Sequence, residues 1–199
     1  MSTKQEHIMI RDAVPEDAER LVEIYDHYVR HTAITFEYDT PSIREFRGRM
    51  EKIMQRWPYL VILKDGRIEG YAYANAFHSR AAYGWCSEVT IYLDAAVKKC
   101  GLGRRLYEAL EGRLERMGIL NLYACIGYPE HADEYLSRNS IDFHAHLGYR
   151  IIGEFKQCGY KFGRWYHMAW MEKIIGEHTQ PQAAVVPYPE LETKDLDRS

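Results

Sequence analysis

Two stretches in the first third of the chain repeat apolar residues at the three- and four-residue spacing of a helix that buries one side. The first stretch opens at Pro15, a residue that is favoured at the first position of a helix. The second follows Ser42, which forms a capping-box pattern with Glu45, and it ends before Pro58. The pattern therefore predicts two amphipathic helices.

Other segments alternate between apolar and polar residues or form short apolar runs, and these predict strands. The predicted strands are 8–11, 60–63, 67–76, 87–93, 120–126, 149–155 and 166–172. Helices predicted over 102–117 and from 140 to 148 each separate two consecutive strands. The order β-α-α-β-β-β-α-β-α-β-β predicts an α/β fold in which a mixed sheet carries helices on both faces.

Charge divides the 199 residues into two parts. The net charge is −3, from 26 basic and 29 acidic residues, and residues 175–199 contain five of the acidic and two of the basic ones. Residues 1–174 are therefore neutral and lack the dense basic surface of a nucleic-acid-binding protein. We expect one domain over residues 1–174 and a flexible, Pro-containing acidic tail over residues 175–199.

Apolar runs, cysteines and tyrosines indicate where the protein acts and what kind of site it has. No apolar run approaches the roughly 20 residues of a membrane span, and the N-terminus has no apolar signal core. None of the four cysteines belongs to a CxxC pair, so we expect free thiols in the cytoplasm and no metal site. The 16 tyrosines indicate a large cleft or an interface.

The segment most indicative of a binding site is a glycine-containing turn between the predicted strand 87–93 and the helix 102–117. Gly101 and Gly103 stand where backbone N–H groups and a helix dipole form an anion site suited to a pyrophosphate. Without a Cβ, both glycines allow close approach of a phosphate. Positive charge surrounds the turn at Lys98, Lys99, Arg104 and Arg105. Neither the P-loop nor the Rossmann pattern fits, and a simple tight turn is the alternative.

The pattern Lys98-x-x-Gly101-x-Gly103 resembles the pyrophosphate loop of the GNAT acyltransferases. Further stretches resemble the phosphinothricin and methionine sulfoximine acetyltransferase branch of that family, in family order over about residues 8–173. These stretches are Thr35–Glu37, Gly70–Ala74, Arg80–Tyr83, Trp85, Glu88, Tyr92, Phe143-His144, Gly148-Tyr149 and Gly159–Trp165. The resemblance implies the GNAT fold, with a central twisted sheet, and acetyl-CoA as cosubstrate.

The resemblance also implies how the chain binds acetyl-CoA. Backbone groups of one strand would hold the pantetheine arm, the glycine turn would hold the pyrophosphate, and Asn139 or Ser140 would replace the usual Asn contact of the branch. The implied residues are Ile91, Tyr92, Leu93, Lys98, Lys99, Cys100, Gly101, Leu102, Gly103, Arg104, Asn139 and Ser140.

Acetyl transfer from a thioester requires that a protonated amine first lose a proton. The resemblance implies Glu88 as the base and also implicates His144. The departing thiolate needs a proton donor, for which His144 and a nearby tyrosine remain alternatives, and the Leu93 region would supply N–H donors to the oxyanion. Alternatively, Glu88 is a solvated strand residue and His144 only packs within its helix.

Acceptor residues are implied in three parts of the chain. They are Phe36, Arg80, Tyr83, Lys161 and Trp165. Arg80 would bind an acceptor carboxylate with two parallel hydrogen bonds, whereas the aromatic residues suit a core or an interface equally well. Gly84 stands where the branch often has a basic residue, which leaves specificity for phosphinothricin open.

The expected function is transfer of acetyl from acetyl-CoA to the primary amine of a small, amino-acid-like acceptor, by a homodimer. An enzyme that acetylates protein N-termini or lysines is one alternative and would need an open, acidic groove. A CoA-binding module without turnover is the other, and the retention of Glu88 beside an intact glycine turn argues against it.

Overall fold

The computed structural model describes residues 7–97 and 100–191, in which one seven-stranded sheet carries helices on both faces. The strands are β1 (Ile8–Asp12), β2 (Tyr59–Lys64), β3 (Arg67–Ala76), β4 (Cys86–Leu93), β5 (Asn121–Tyr128), β6 (Arg150–Lys161) and β7 (Arg164–Ile174). The helices are α1 (Ala18–His31), α2 (Ile43–Met54), α3 (Leu102–Met117) and α4 (Asn139–His146). The element order agrees with the order predicted from the sequence. None of the helices described is long and apolar enough to cross a membrane.

The sheet has the order β1-β2-β3-β4-β5-β7-β6, and β4 and β5 are its one parallel pair. These two strands pair only at their beginnings, from Cys86–Asn121 to Glu88–Tyr123. Beyond Glu88, β4 continues to pair with β3, and β5 continues to pair with β7. The sheet therefore splits into a V between β4 and β5.

A separate apolar core fills each face of the sheet. Helix α3 buries Leu106, Leu110 and Leu114 completely on one face, because residues four apart lie on the same side of a helix. Helices α1 and α2 cover the other face, where Leu21 and Met50 are among the most buried residues. The buried residues of helices α1 and α2 confirm the three- and four-residue spacing of apolar residues in the sequence.

Local signals in the sequence fix several element ends. The Ser42 hydroxyl accepts a hydrogen bond from the backbone N–H of Glu45 at 3.2 Å, as an N-cap does. Asp65 and Gly66 both have positive φ, which the β2–β3 hairpin turn requires. Gly118 ends α3 with a φ of +88°, a conformation that glycine adopts without strain.

Strand β6 is longer than the sequence pattern predicts. The apolar alternation supports a strand over 149–155, but the observed strand continues to Lys161 through an irregularity in its register between Phe155 and Gly159. Most β6 side chains are exposed because the strand lies at the edge of the sheet, so burial imposes little alternation on its sequence.

The segment after β7 was expected to be flexible, but its described part, residues 175–191, is packed against the domain. Val186 donates a backbone hydrogen bond to the carbonyl of Met117, and Leu191 is buried in the α3 core. The Tyr188 hydroxyl donates to Asp12 and accepts from Arg113 Nε at 2.9 Å. Residues 175–191 are therefore held against α3 and the end of β1.

Candidate active site

The split between β4 and β5 contains a cavity of about 310 Å³. Residues 89–95 on and after β4 and 124–127 of β5 form two of its walls, and α4 closes it through Asn139, Ser140 and His144. Where the two strands diverge, β4 offers backbone groups that β5 does not pair. The predicted pantetheine residues Ile91, Tyr92 and Leu93 are therefore found along this opening.

The predicted pyrophosphate turn lies at the beginning of α3. Gly101 is the N-cap of this 16-residue helix, with a φ of +74° and open space where a Cβ would project. A cavity of about 250 Å³ opens beside the turn and is lined by Cys100, Gly101 and Arg104 among others. The N–H groups of the first helical turn therefore face open space, as an anion site requires. Lys98 and Lys99 lie outside the described residues.

Gly103 lines the same cavity and is also tightly packed against its neighbours in the protein. A Cβ on Gly103 would lie 3.2 Å from Leu93 Cδ1 and 3.2 Å from the ring of Phe143. This glycine is buried in α3 and allows the helix to approach β4 and α4 closely. Its missing side chain therefore serves packing within the protein, whereas that of Gly101 leaves room for a phosphate.

Two other residues of the turn contribute different groups. Leu102 is 1% exposed and its side chain belongs to the α3 core, so only its backbone can reach a ligand. Arg104 remains exposed, forms an ion pair with Glu108 at 3.6 Å and donates to the carbonyl of His146 at 3.4 Å. The Arg104 guanidinium is thus the described cation nearest to this end of α3 in sequence.

A hydrogen-bonded pair, Tyr107 and His144, forms part of the cavity lining. His144 Nδ1 lies 2.7 Å from the carbonyl oxygen of Ser140 and must donate to it, because a carbonyl only accepts. His144 Nε2 is then the acceptor for the Tyr107 hydroxyl at 2.9 Å. Burial lowers the pKa of His144, and burial raises that of Tyr107 well above its usual value. Both groups are therefore neutral at physiological pH.

Glu88 is the last β4 residue that pairs with β5. Its carboxylate forms no ion pair or hydrogen bond with any side chain in the described part of the chain, and burial raises its pKa. Burial, together with the charge of Glu88, raises the pKa of Tyr73 and that of Cys125 to about 12 each. A half-buried carboxylate with a raised pKa is a suitable proton acceptor near neutral pH.

The residues predicted to bind the acceptor are not gathered around this cavity. Phe36 packs beside it, since its ring covers Gly127, which lines the cavity, and a Cβ on Gly159 would overlap the same ring. Lys161 is buried and donates to the carbonyl of Thr35 at 2.8 Å.

The other three predicted acceptor residues are more exposed and are located elsewhere. Arg80 is exposed just before the 3-10 turn between β3 and β4, and Tyr83 in that turn contacts Phe77 and His78. Trp165 is 59% exposed near the β6–β7 turn, against Tyr160. Their contact with an acceptor remains a prediction.

Two tyrosines at the cavity were not singled out by sequence reasoning. Tyr107 falls in the apolar stripe of α3, where it is indistinguishable from a core residue. The Tyr28 hydroxyl of α1 donates to the carbonyl of Leu93 at 2.6 Å and fixes the end of β4. This contact joins residues 65 positions apart in the sequence, and no local pattern indicates it. Among the described residues, no cluster of His, Cys, Asp and Glu could hold a metal ion.

Comparison with known proteins identifies this architecture. Residues 10–170 match the acetyltransferase (GNAT) domain. A phosphinothricin N-acetyltransferase of Streptomyces viridochromogenes is 30% identical over 173 residues, which cover 87% of this chain and 91% of the relative. The L-methionine sulfoximine/L-methionine sulfone acetyltransferase of Salmonella typhimurium is 30% identical over 175 residues, or 87% of this chain and 98% of the relative.

A solved structure has the same arrangement of elements. It is a GNAT superfamily phosphinothricin acetyltransferase from Sinorhizobium meliloti in complex with AcCoA, with a TM-score of 0.82 and 35% identity, covering 92% of this chain and 96% of that one. The split sheet and the glycine turn therefore place this protein in a class of acyl-CoA-binding transferases. The chain belongs to the GNAT acetyltransferase family, and it is an acetyl-CoA-dependent N-acetyltransferase.

Proposed function

We propose that this enzyme acetylates the primary amine of a small amino acid related to phosphinothricin or methionine sulfoximine. The observation that carries the proposal is the Glu88 carboxylate, half-buried and without a polar side-chain partner among the described residues, at the point where β4 and β5 separate. The relatives named for these two acceptors match nearly their whole length in this chain.

The residues around the cavity suit the two halves of acetyl-CoA. The open strand edge of β4 would pair with the amide groups of the pantetheine arm, and the N–H groups at the beginning of α3, beside Gly101, would hold the pyrophosphate. Asn139 and Ser140 line the same cavity from α4. When bound, the cosubstrate supplies a thioester carbonyl as the electrophile.

In the proposed reaction Glu88 removes one proton from the acceptor ammonium, directly or through a water molecule. The amine nitrogen then bonds to the acetyl carbon, the carbon–sulfur bond breaks, and the electron pair leaves on sulfur. The nitrogen loses its second proton as the neutral amide forms, and this proton replaces the one that the departing sulfur receives. The raised pKa of Glu88 increases its basicity without the assistance of a second charge. Backbone N–H groups near Leu93, whose carbonyl Tyr28 holds in place, would donate to the oxyanion.

We assign proton donation to the departing sulfur to Tyr107. Tyr107 lines the cavity, and its hydroxyl remains protonated at neutral pH. His144 acts as a positioning residue, because in the resting enzyme its Nε2 accepts from this hydroxyl while the Ser140 carbonyl fixes the ring. The hydroxyl must give up this hydrogen bond when it turns its proton to the sulfur. The alternative in which His144 itself donates requires the other tautomer, which would set Nδ1 against the Ser140 carbonyl without a proton between them.

Acetylation of a panel of amines tests the proposed function. Phosphinothricin, methionine sulfoximine and methionine sulfone should each accelerate CoA release, and mass spectrometry should show one added acetyl group on the acceptor. A peptide with a free N-terminus and a lysine side chain should not accelerate release. If acetyl-CoA binds while no amine accelerates release, the proposal is wrong and the chain is a binding module.

We further propose that the enzyme is a homodimer in the cytoplasm. Edge strand β6 exposes the apolar side chains of Ile151, Ile152 and Phe155, and an edge strand with exposed apolar residues is suited to contact a second copy. The four cysteines form no disulfide in this structure, in agreement with a reducing compartment.

A further inference from the structure

A second cavity, of about 550 Å³, lies on the other face of the sheet, between α2 and strands β2–β4. Four tyrosines on three neighbouring strands form one wall of this tyrosine cavity: Tyr59, Tyr71, Tyr73 and Tyr92. The strand register explains the arrangement, because Tyr59 is opposite Tyr73 and Tyr71 is opposite Tyr92. The ring centroids of these pairs are 4.8 and 5.5 Å apart.

Two of these tyrosines present free hydroxyl groups to the cavity. Tyr59 and Tyr71 are only 3% and 1% exposed, and neither hydroxyl forms a hydrogen bond with any residue that the structure describes. In the same part of the chain, no solvent-shielded side-chain oxygen lacks a partner. Both hydroxyls must therefore open into the cavity, where a ligand can satisfy them.

The tyrosine cavity lies on the same face of the sheet as the Glu88 side chain. Tyr92 lines both this cavity and the cavity in the split of the sheet. Tyr73 and Asn75, which also line it, stand opposite Thr90 and Glu88 in the β3–β4 pairing. Because opposite residues of paired strands point to the same face, the Glu88 side chain lies on the face that holds the tyrosine cavity.

The remaining walls indicate what the cavity would accept. Helix α2 contributes the apolar side chains of Phe46, Met50 and Ile53. Lys52 and Arg56 also line the cavity, and neither forms an ion pair with another described residue, although Arg56 stacks over Trp57. An apolar space with free hydroxyls and two unneutralised cations is complementary to an aromatic group that is attached to a carboxylate.

We propose that the tyrosine cavity receives the acceptor side chain and that the enzyme acetylates aromatic α-amino acids, including tyrosine. This inference rests on the proposed function and extends its acceptor class. The amine reaches Glu88 while the aromatic ring enters between the tyrosines and α2. The volume is ample, since a cavity of about 150 Å³ can hold a benzene ring. The reaction is unchanged: the N–acetyl bond forms, the C–S bond breaks, one ammonium proton passes to Glu88, and the second replaces the proton that Tyr107 gives to the departing sulfur.

Filling the cavity provides the test. Ile53→Trp places a larger side chain in the space, and Arg47→Trp on the exposed side of α2 is the matched control. We expect Ile53→Trp to lower the ratio of kcat/KM for L-tyrosine to that for L-methionine sulfone at least about tenfold, since one mismatched group in a pocket changes discrimination by about 10- to 200-fold. Arg47→Trp should leave the ratio at the wild-type value. An unchanged ratio in Ile53→Trp would overturn the inference.

A second variant remains informative if Ile53→Trp does not fold. Tyr59→Phe removes one free hydroxyl and keeps the ring, so it should lower kcat/KM for L-tyrosine more than for L-phenylalanine, and an equal effect on both would contradict the proposal. The wild-type enzyme separates the two levels of argument. Acetylation of methionine sulfone without acetylation of either aromatic amino acid overturns this inference alone, whereas no acetylation of any acceptor overturns the proposed function as well.

Discussion

Glu88 is unusual among the acidic residues of the central strands because no cation neutralises it within the described part of the chain. Glu172 on β7, by contrast, pairs with Arg150 at 2.8 Å. Burial without a partner raises the pKa of Glu88, and that desolvation would suit the residue to the base role proposed for it.

Replacement of Glu88 by Gln should separate catalysis from binding. We expect Glu88→Gln to lower kcat by about 10²- to 10⁴-fold, the usual contribution of general base catalysis, with little change in the Kd of acetyl-CoA measured by calorimetry. In the wild type, kcat/KM should decrease with falling pH, at an apparent pKa above the ordinary value for Glu, because the base must be deprotonated. The variant should lose this acid limb, and unchanged turnover would remove Glu88 from the mechanism.

The hydrogen bond between Tyr107 and His144 gives a second prediction. Nitrogen-15 NMR of the wild type should show His144 as the neutral tautomer protonated at Nδ1, with no titration near its ordinary pKa, since burial lowers that pKa. Tyr107→Phe should lower kcat and leave the tautomer in place, because the Ser140 carbonyl still fixes Nδ1. Protonation at Nε2 in the wild type would exclude our assignment.

The sequence suggested candidate chemical groups for the site but little of its geometry. Glu88 and His144 came from a family resemblance, and both flank the split of the sheet in the structure. Tyr107 was not identified because a buried tyrosine between leucines looks like a core residue. The predicted acceptor residues lie on three separate loops and strands, and their distances depend on tertiary packing that no local pattern encodes.

At the scale of elements, helix α3 contains two glycines that differ in the space around them. Gly103 is tightly enclosed by Leu93 and Phe143, whereas Gly112 in the same helix has nothing within 4 Å of a would-be Cβ. An added methyl group therefore meets the protein at one position and open space at the other. The periodicity of the sequence predicted the bounds of this helix correctly but could not distinguish the two glycines.

Alanine substitutions should show this difference. Gly112→Ala should stabilise the protein by about 1 kcal/mol, the difference in helix propensity between the two residues. Gly103→Ala should be less stable than Gly112→Ala, because the side chains of Leu93 and Phe143 must give way by a few tenths of an ångström to the new methyl group. It should also weaken acetyl-CoA binding. Thermal unfolding measures the first effect and calorimetry the second. Equal melting temperatures for the two variants would contradict the packing role of Gly103.

The second half of strand β6 is a part of the fold that the sequence pattern did not predict. A buried strand has to alternate or remain apolar, and β2 was predicted from that requirement alone. The second half of β6 has exposed side chains and an irregular register, so its sequence carries no comparable constraint. Edge strands are therefore the part of this fold that a hydropathy pattern describes least well.

At the scale of the whole molecule, the exposed apolar side chains of β6 predict self-association. Phe155→Glu should convert the proposed dimer into a monomer in analytical ultracentrifugation, since a charge on an apolar interface is costly to bury. Gln157→Glu adds the same charge at an exposed polar position of the same strand and should leave the dimer intact. A monomeric wild type would contradict the dimer proposal.

The split sheet also has a thermodynamic consequence. Across the V, β4 and β5 are joined by three residue pairs, so a ligand lying between them would supply contacts that the protein does not make with itself. A ligand that binds only the folded state stabilises it by about 2.7 kcal/mol at one hundred times its Kd. The melting temperature should therefore rise with acetyl-CoA concentration, and the lifetime of the protein in a cell would depend on the supply of its own cosubstrate.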